Sequence, residues 1–240
     1  LALAAVIGMP AVVRAQFITS AAVLGTPTQT ITFSQFVAGS TSLPQNVSID
    51  PARPVMLTAP DPNNTPRIYN QDYALGGYFP NDAIFNDSRF CTNGLWNSGR
   101  SGYVGFFPGT VGRFTLGAPV QEVGATLNYV PLCSQPSQGS PTMRLLGQGG
   151  NVLASYDIDA LGRIVTPNQL NAGMFRGAIR QEADVYGVEF AGGFLVLDDL
   201  VYVAANVTPP NTTAPEPSAL VLLAGGLAVI VAARRRRWRR

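Results

Sequence analysis

The sequence predicts an all-β body, an antiparallel β-sandwich, on three observations. At least seven short segments alternate apolar and polar residues, the period that sets successive side chains on opposite faces of a strand. The intervals between them leave no room for crossover helices, so neighbouring strands must run antiparallel. The 25 glycines and 19 prolines in 240 residues supply the turns that many short strands need.

In chain order, residues 1–13 (LALAAVIGMPAVV) read as the apolar core of a secretory leader, with the chain starting inside it. Val13-Arg14-Ala15 offers small or aliphatic residues at the two positions a leader peptidase reads, which makes Gln16 the new N-terminus. Cuts after Ala21 or Ala22 are alternatives, and an N-terminal hydrophobic strand or membrane anchor is the other reading. The β-sandwich is expected over residues 30–204. Residues 30–36 (TITFSQF) alternate and predict the first strand. Residues 51–80 are rich in Pro, Asn and Asp and read mainly as loop, with apolar patches at 55–57 and 68–69.

Aromatic residues among Gly, Asn and Ser over 81–109 predict short strands and tight turns. Strands follow at 111–116 and 120–130, the second with Val123, Ala125, Leu127 and Tyr129 on one face. Residues 143–146 and 152–158, joined by Gly147-Gln-Gly-Gly-Asn151, predict a hairpin. Residues 185–190 should place Tyr186, Val188 and Phe190 on one side. Residues 194–203 are apolar on both faces, as a central strand must be. A linker rich in Asn, Thr and Pro covers 205–214.

Charge is distributed unevenly. All sixteen basic residues are arginine; six lie in the last seven positions and one is Arg14. Between Gln16 and Pro217 nine arginines face fourteen acids, a net charge of −5 on the exported body. Nucleic acid is thereby excluded as a partner, since phosphate binding needs a concentrated basic face. The chain has no histidine, which excludes His-dependent triads and His-ligated metal sites.

The C-terminal residues 215–240 form their own unit. Pro215-Glu216-Pro217 keeps the entry extended. Residues 218–233 are uncharged and predict a single transmembrane helix. Those sixteen residues make about 24 Å of helix against roughly 30 Å of hydrocarbon, short for a lasting anchor. Arg234, Arg235, Arg236 and Arg237, with Arg239 and Arg240 beyond Trp238, hold the terminus on the cytoplasmic side. This order of elements resembles the PEP-CTERM sorting signal of Gram-negative bacteria. The resemblance implies export, transient retention in the inner membrane, processing by an exosortase, and delivery to the cell surface or extracellular matrix. A plain anchor, its arginines snorkelling to the interface, is the alternative.

A second resemblance lies in the body. Gly173-Met-Phe-Arg-Gly177, a strand, and then Leu197-Asp-Asp-Leu-Val-Tyr202 look like the closing pattern of jelly-roll, carbohydrate-binding-module-like domains. Strand alternation turns Asp199 inward if Leu197 and Val201 face the core. A buried carboxylate needs an arginine, backbone N–H groups or a cation, and the resemblance implies a structural Ca²⁺ at Asp198 and Asp199. Trp96 and Tyr78, with Tyr69, Tyr73 and Tyr103, are candidates for a sugar-stacking face. Cys91 and Cys133 are the only cysteines and, in an oxidising compartment, are expected to form a disulfide. Asp82, Asp87, Asp157, Asp159 and Glu182 are the acids from which a glycosidase pair would be drawn, and no spacing singles out two. The expectation is a non-enzymatic exported protein without a cofactor apart from that calcium, associated with exopolysaccharide. The alternative is a secreted carbohydrate-active enzyme.

Overall fold

One strand, β7 (Val111–Tyr129), carries most of the sheet. The computed structural model describes residues 14–26, 28–36, 43–48, 51–70, 102–129, 139–165 and 173–204. Within them the chain is mostly β-strand, joined in one antiparallel sheet, with helix confined to short turns. The first half of β7 lies between β4 (Val55–Thr58) and β11 (Val185–Ala191). Its second half lies between β10 (Met174–Arg180) and β12 (Leu195–Ala204).

Gly117-Ala118-Pro119 therefore does not separate two strands, as its turn-like composition predicts. Pairing with β11 slips between Thr115–Gly187 and Val120–Val185, so the triplet bends β7 without ending it. Proline is tolerated there because an irregular point needs no N–H from it. A second irregularity follows at once: adjacent Val203 and Ala204 face Glu122 and Val120. One extra residue on β7 exchanges its faces. Inward positions are Phe114 and Leu116 before the irregularity, and Val123, Ala125, Leu127 and Tyr129 after it.

The hydrogen-bonded order through the sheet is β5 (Arg67–Asn70), β6 (Gly102–Phe106), β12, β7, β11, β8 (Thr142–Leu146), β9 (Val152–Asp157). β1 (Ala15–Ile18) adds to β10, β2 (Thr28–Ile31) to β12, and β3 (Gln45–Asn46) to β4. β12 is interior, as its two apolar faces require. Leu195 and Leu197 enter the main core, while Val196 enters a second cluster with Tyr69 and Tyr103. In the main core Phe114 meets Phe33 and Phe190 at centroid distances of 6.0 and 6.2 Å. Each fully buried ring of this kind contributes about 1.5–3 kcal/mol.

The β8–β9 hairpin forms where expected. Gly149 and Gly150 adopt φ of 75° and 84°, a region open to glycine without steric cost, and Gly147 N–H donates to the Asn151 carbonyl at 2.8 Å. Elsewhere the structure departs from the sequence reading. Strand pairing begins at Ala15, before Thr30. β2 stops at Ile31, because Phe33 turns at φ 55° and is fully buried in the core. On β11 the irregularity between Val185 and Gly187 puts Val185, not Tyr186, into the core with Val188 and Phe190. Among the described residues no helix is long and apolar enough to cross a membrane; the expected span 218–233 lies outside them.

Candidate functional site

The Asp198–Asp199 pair sits on a β-bulge. Asp198 pairs with Thr126 and Val201 with Gly124, so three steps along β12 match two along β7. The extra residue cancels simple alternation. Asp198 is the fully buried carboxylate, whereas Asp199 is half-buried with φ 47°. This corrects the inward placement of Asp199: the core-facing residues around the bulge are Leu197 and Leu200. The Asp199 N–H donates to Asp198 Oδ1 at 2.7 Å, so backbone supplies one of the contacts that a buried carboxylate demands. Calcium takes six to eight oxygens. Among the described residues no group of three or more His, Cys, Asp and Glu gathers as a metal site would.

The face of β12 that holds Asp198 also holds Val196. Asn128, fully buried on the facing strand, is paired with Val196 and accepts from the Tyr129 N–H at 2.9 Å. Tyr69 and Tyr103 stack on each other at 5.4 Å and 26°, and each is 1% exposed. They are packed against Val196 and are not a sugar platform, which corrects their assignment to a binding face. Burial, then repulsion from Tyr69, raises the Tyr103 hydroxyl above the ordinary phenol value. Trp96, Tyr73 and Tyr78 lie outside the described residues, as do Cys91 and Cys133 with their expected disulfide.

A polar network that the sequence reading did not isolate joins β7 to α1 (Ile158–Gly162). The helix begins because Asp157 caps it, accepting from Ala160 N–H at 2.9 Å; Asp157 also accepts from the Ser140 hydroxyl at 2.7 Å. Inside its first turn Asp159 accepts from Tyr129 Oη at 2.7 Å and from Arg163 Nη2 at 2.7 Å. Burial by itself raises the Asp159 pKa, but the hydrogen bonds from Arg163 and Tyr129 outweigh it and leave the carboxyl below its usual value. Tyr129 Oη also accepts from the Ile164 N–H at 3.2 Å. Its own pKa is raised, by burial first and then by the bond to Asp159.

Arg176, 2% exposed, aims its guanidinium at carbonyls of Gly162, Arg163 and Phe175, at the end of α1 and on β10. Burial lowers its pKa. Two acids considered for a glycosidase pair, Asp157 and Asp159, are thus committed to holding α1. Only the four-residue spacing of Asp159 and Arg163 was a visible sign of this network. Asp82 and Asp87 lie outside the described residues, and Glu182 is exposed.

Comparison with known proteins bears on the other end of the chain. Residues 213–237 match the model of the PEP-CTERM protein-sorting motif. No curated protein matches the sequence. Among solved structures, the crystal structure of the K2 cleaved adhesin domain of Lys-gingipain (Kgp) aligns with 75% of this chain and 99% of that one. The identity is 12% and the TM-score 0.39, a likeness too loose to carry an argument. The span 213–237 contains Pro215-Glu216-Pro217, the apolar run and Arg234 to Arg237, and the chain is accordingly a protein bearing a PEP-CTERM sorting motif, the mark of an exosortase-sorted surface protein.

Proposed function

We propose that the chain is a non-enzymatic component of the cell surface or extracellular matrix, associated with exopolysaccharide and cut from its membrane segment by exosortase near Pro215-Glu216-Pro217. The observation that carries this reading is the sorting motif at 213–237, joined through a Pro- and Thr-rich linker to an acidic β-body. In this reading the body folds as a jelly-roll sandwich and residues 218–233 form the temporary membrane helix. In transit it meets the inner membrane and the exosortase.

The non-enzymatic part of the reading draws support from the acids of the body. Asp157 and Asp159 are tied to a helix cap, a tyrosine and an arginine, and Glu189 binds Arg113 at 2.6 Å. A general acid and its partner have to face a substrate. The test uses protein recovered from the cell surface, incubated with exopolysaccharide purified from the same cells. Co-sedimentation without release of new reducing ends is the expected result. Release of reducing ends would favour the secreted carbohydrate-active enzyme.

A further inference from the structure

We infer that the leader is removed at the Ala15–Gln16 bond, so that the mature protein opens directly on its edge strand β1. Three bonds fit a leader peptidase on sequence alone: those after Ala15, Ala21 and Ala22. The structure separates them. β1 runs antiparallel to β10 with Gln16 opposite Ile179, Phe17 opposite Ala178 and Ile18 opposite Gly177. Phe17 packs its ring on Tyr156 of β9 at 5.3 Å, and Ile18 is 7% exposed.

The environment of α1 depends on the same residues. A Cβ at Gly162 would meet Phe17 and Thr19 side-chain atoms at 2.9 Å, so β1 and the residue after it lie directly against the end of that helix. A cut after Ala21 or Ala22 discards all of these contacts. It would bare the outer edge of β10, an unpaired row of N–H and C=O groups that invites pairing with other chains. A cut after Ala15 removes only one residue of β1. Gln16, which then becomes terminal, is exposed.

This inference rests on the export reading and is tested apart from it. The protein is isolated from the outside of the source cells and its first residue is read by terminal peptide mass spectrometry. Gln16, open or cyclised to pyroglutamate, is the expected first residue. Ala22 or Val23 would overturn the assignment while leaving export intact. A product found only inside the cell and still carrying residues 1–15 would overturn both.

A variant adds an independent readout. Ala15→Phe puts a bulky ring where the peptidase needs a small residue. Processing at residue 15 should be lost, and any product displaced to Ala22 or Val23 should melt roughly 5–10 °C lower because β1 is missing. A displaced product melting with the wild type would contradict the role given to β1.

Discussion

Tyr129, the last residue of β7, donates its phenolic hydrogen to Asp159 in the first turn of α1 across 2.7 Å. That bond links the strand on which the sheet is assembled to the only α-helix among the described residues. Both side chains are buried, so water cannot replace either partner without cost. In Tyr129→Phe the ring stays and the hydroxyl goes, which strips one donor from Asp159 and leaves the Ile164 N–H without its acceptor. The expected loss is about 1–3 kcal/mol, read as a fall in Tm of several degrees.

Acid should weaken the same junction. The folded-state pKa of Asp159 is depressed, so its contribution is fully present above the unfolded value, about 3.9. It is lost as pH falls through the lower folded value. Thermal melts from pH 7 to pH 2 should show this loss in the wild type. Asp159→Asn should be less stable at neutral pH and show a shallower fall in acid. Parallel curves for the two proteins would exclude Asp159 as a contributor.

The crossing of β7 and β10 admits no side chain at its centre. Gly177 is paired with Gly124, and a Cβ on Gly177 would lie 2.7 Å from the Val123 carbonyl oxygen. Backbone cannot swing aside as a side-chain tip can. Gly177→Ala should cost about 1–3 kcal/mol, measured by denaturant titration with an unchanged m-value.

The bulge on β12 gives a contrast between two substitutions at one position. Asp199 occupies the left-handed region at φ 47°, which glycine enters freely and β-branched residues avoid. Asp199→Val should be destabilised relative to Asp199→Gly by about 1–2 kcal/mol. Equal stability of the pair would mean that the bulge relaxes. The structural calcium implied at Asp198 and Asp199 has its own test: a fall in the wild-type Tm on chelation of divalent cations supports the metal, and an unchanged Tm removes it.

Much of the strand pattern was visible in the sequence because apolar side chains recur at every second position along a buried face. Val123, Ala125, Leu127 and Tyr129 alternate and share a face; the Gly-rich turn at 147–151 announces its hairpin. What stayed hidden depends on register. Asp198 and Asp199 exchange places because of one extra residue, and Tyr186 yields to Val185 for the same reason. Period-2 counting has no means of seeing a bulge, which is set by the partner strand. Tyr69 and Tyr103 misled in another way: aromatic rings among polar neighbours look like a binding face, yet here they pack on Val196. The α1 network was hidden because Tyr129, Asp159 and Arg176 are distant in sequence and meet only through the sheet.

The sorting motif is the centre of the account, and the mass of the surface-exposed wild-type protein tests it most directly. Cleavage near Pro215-Glu216-Pro217 predicts a surface form that lacks the apolar run and every arginine from Arg234 onward. A surface form whose mass still includes Arg234 to Arg240 would contradict it and identify the tail as a permanent anchor.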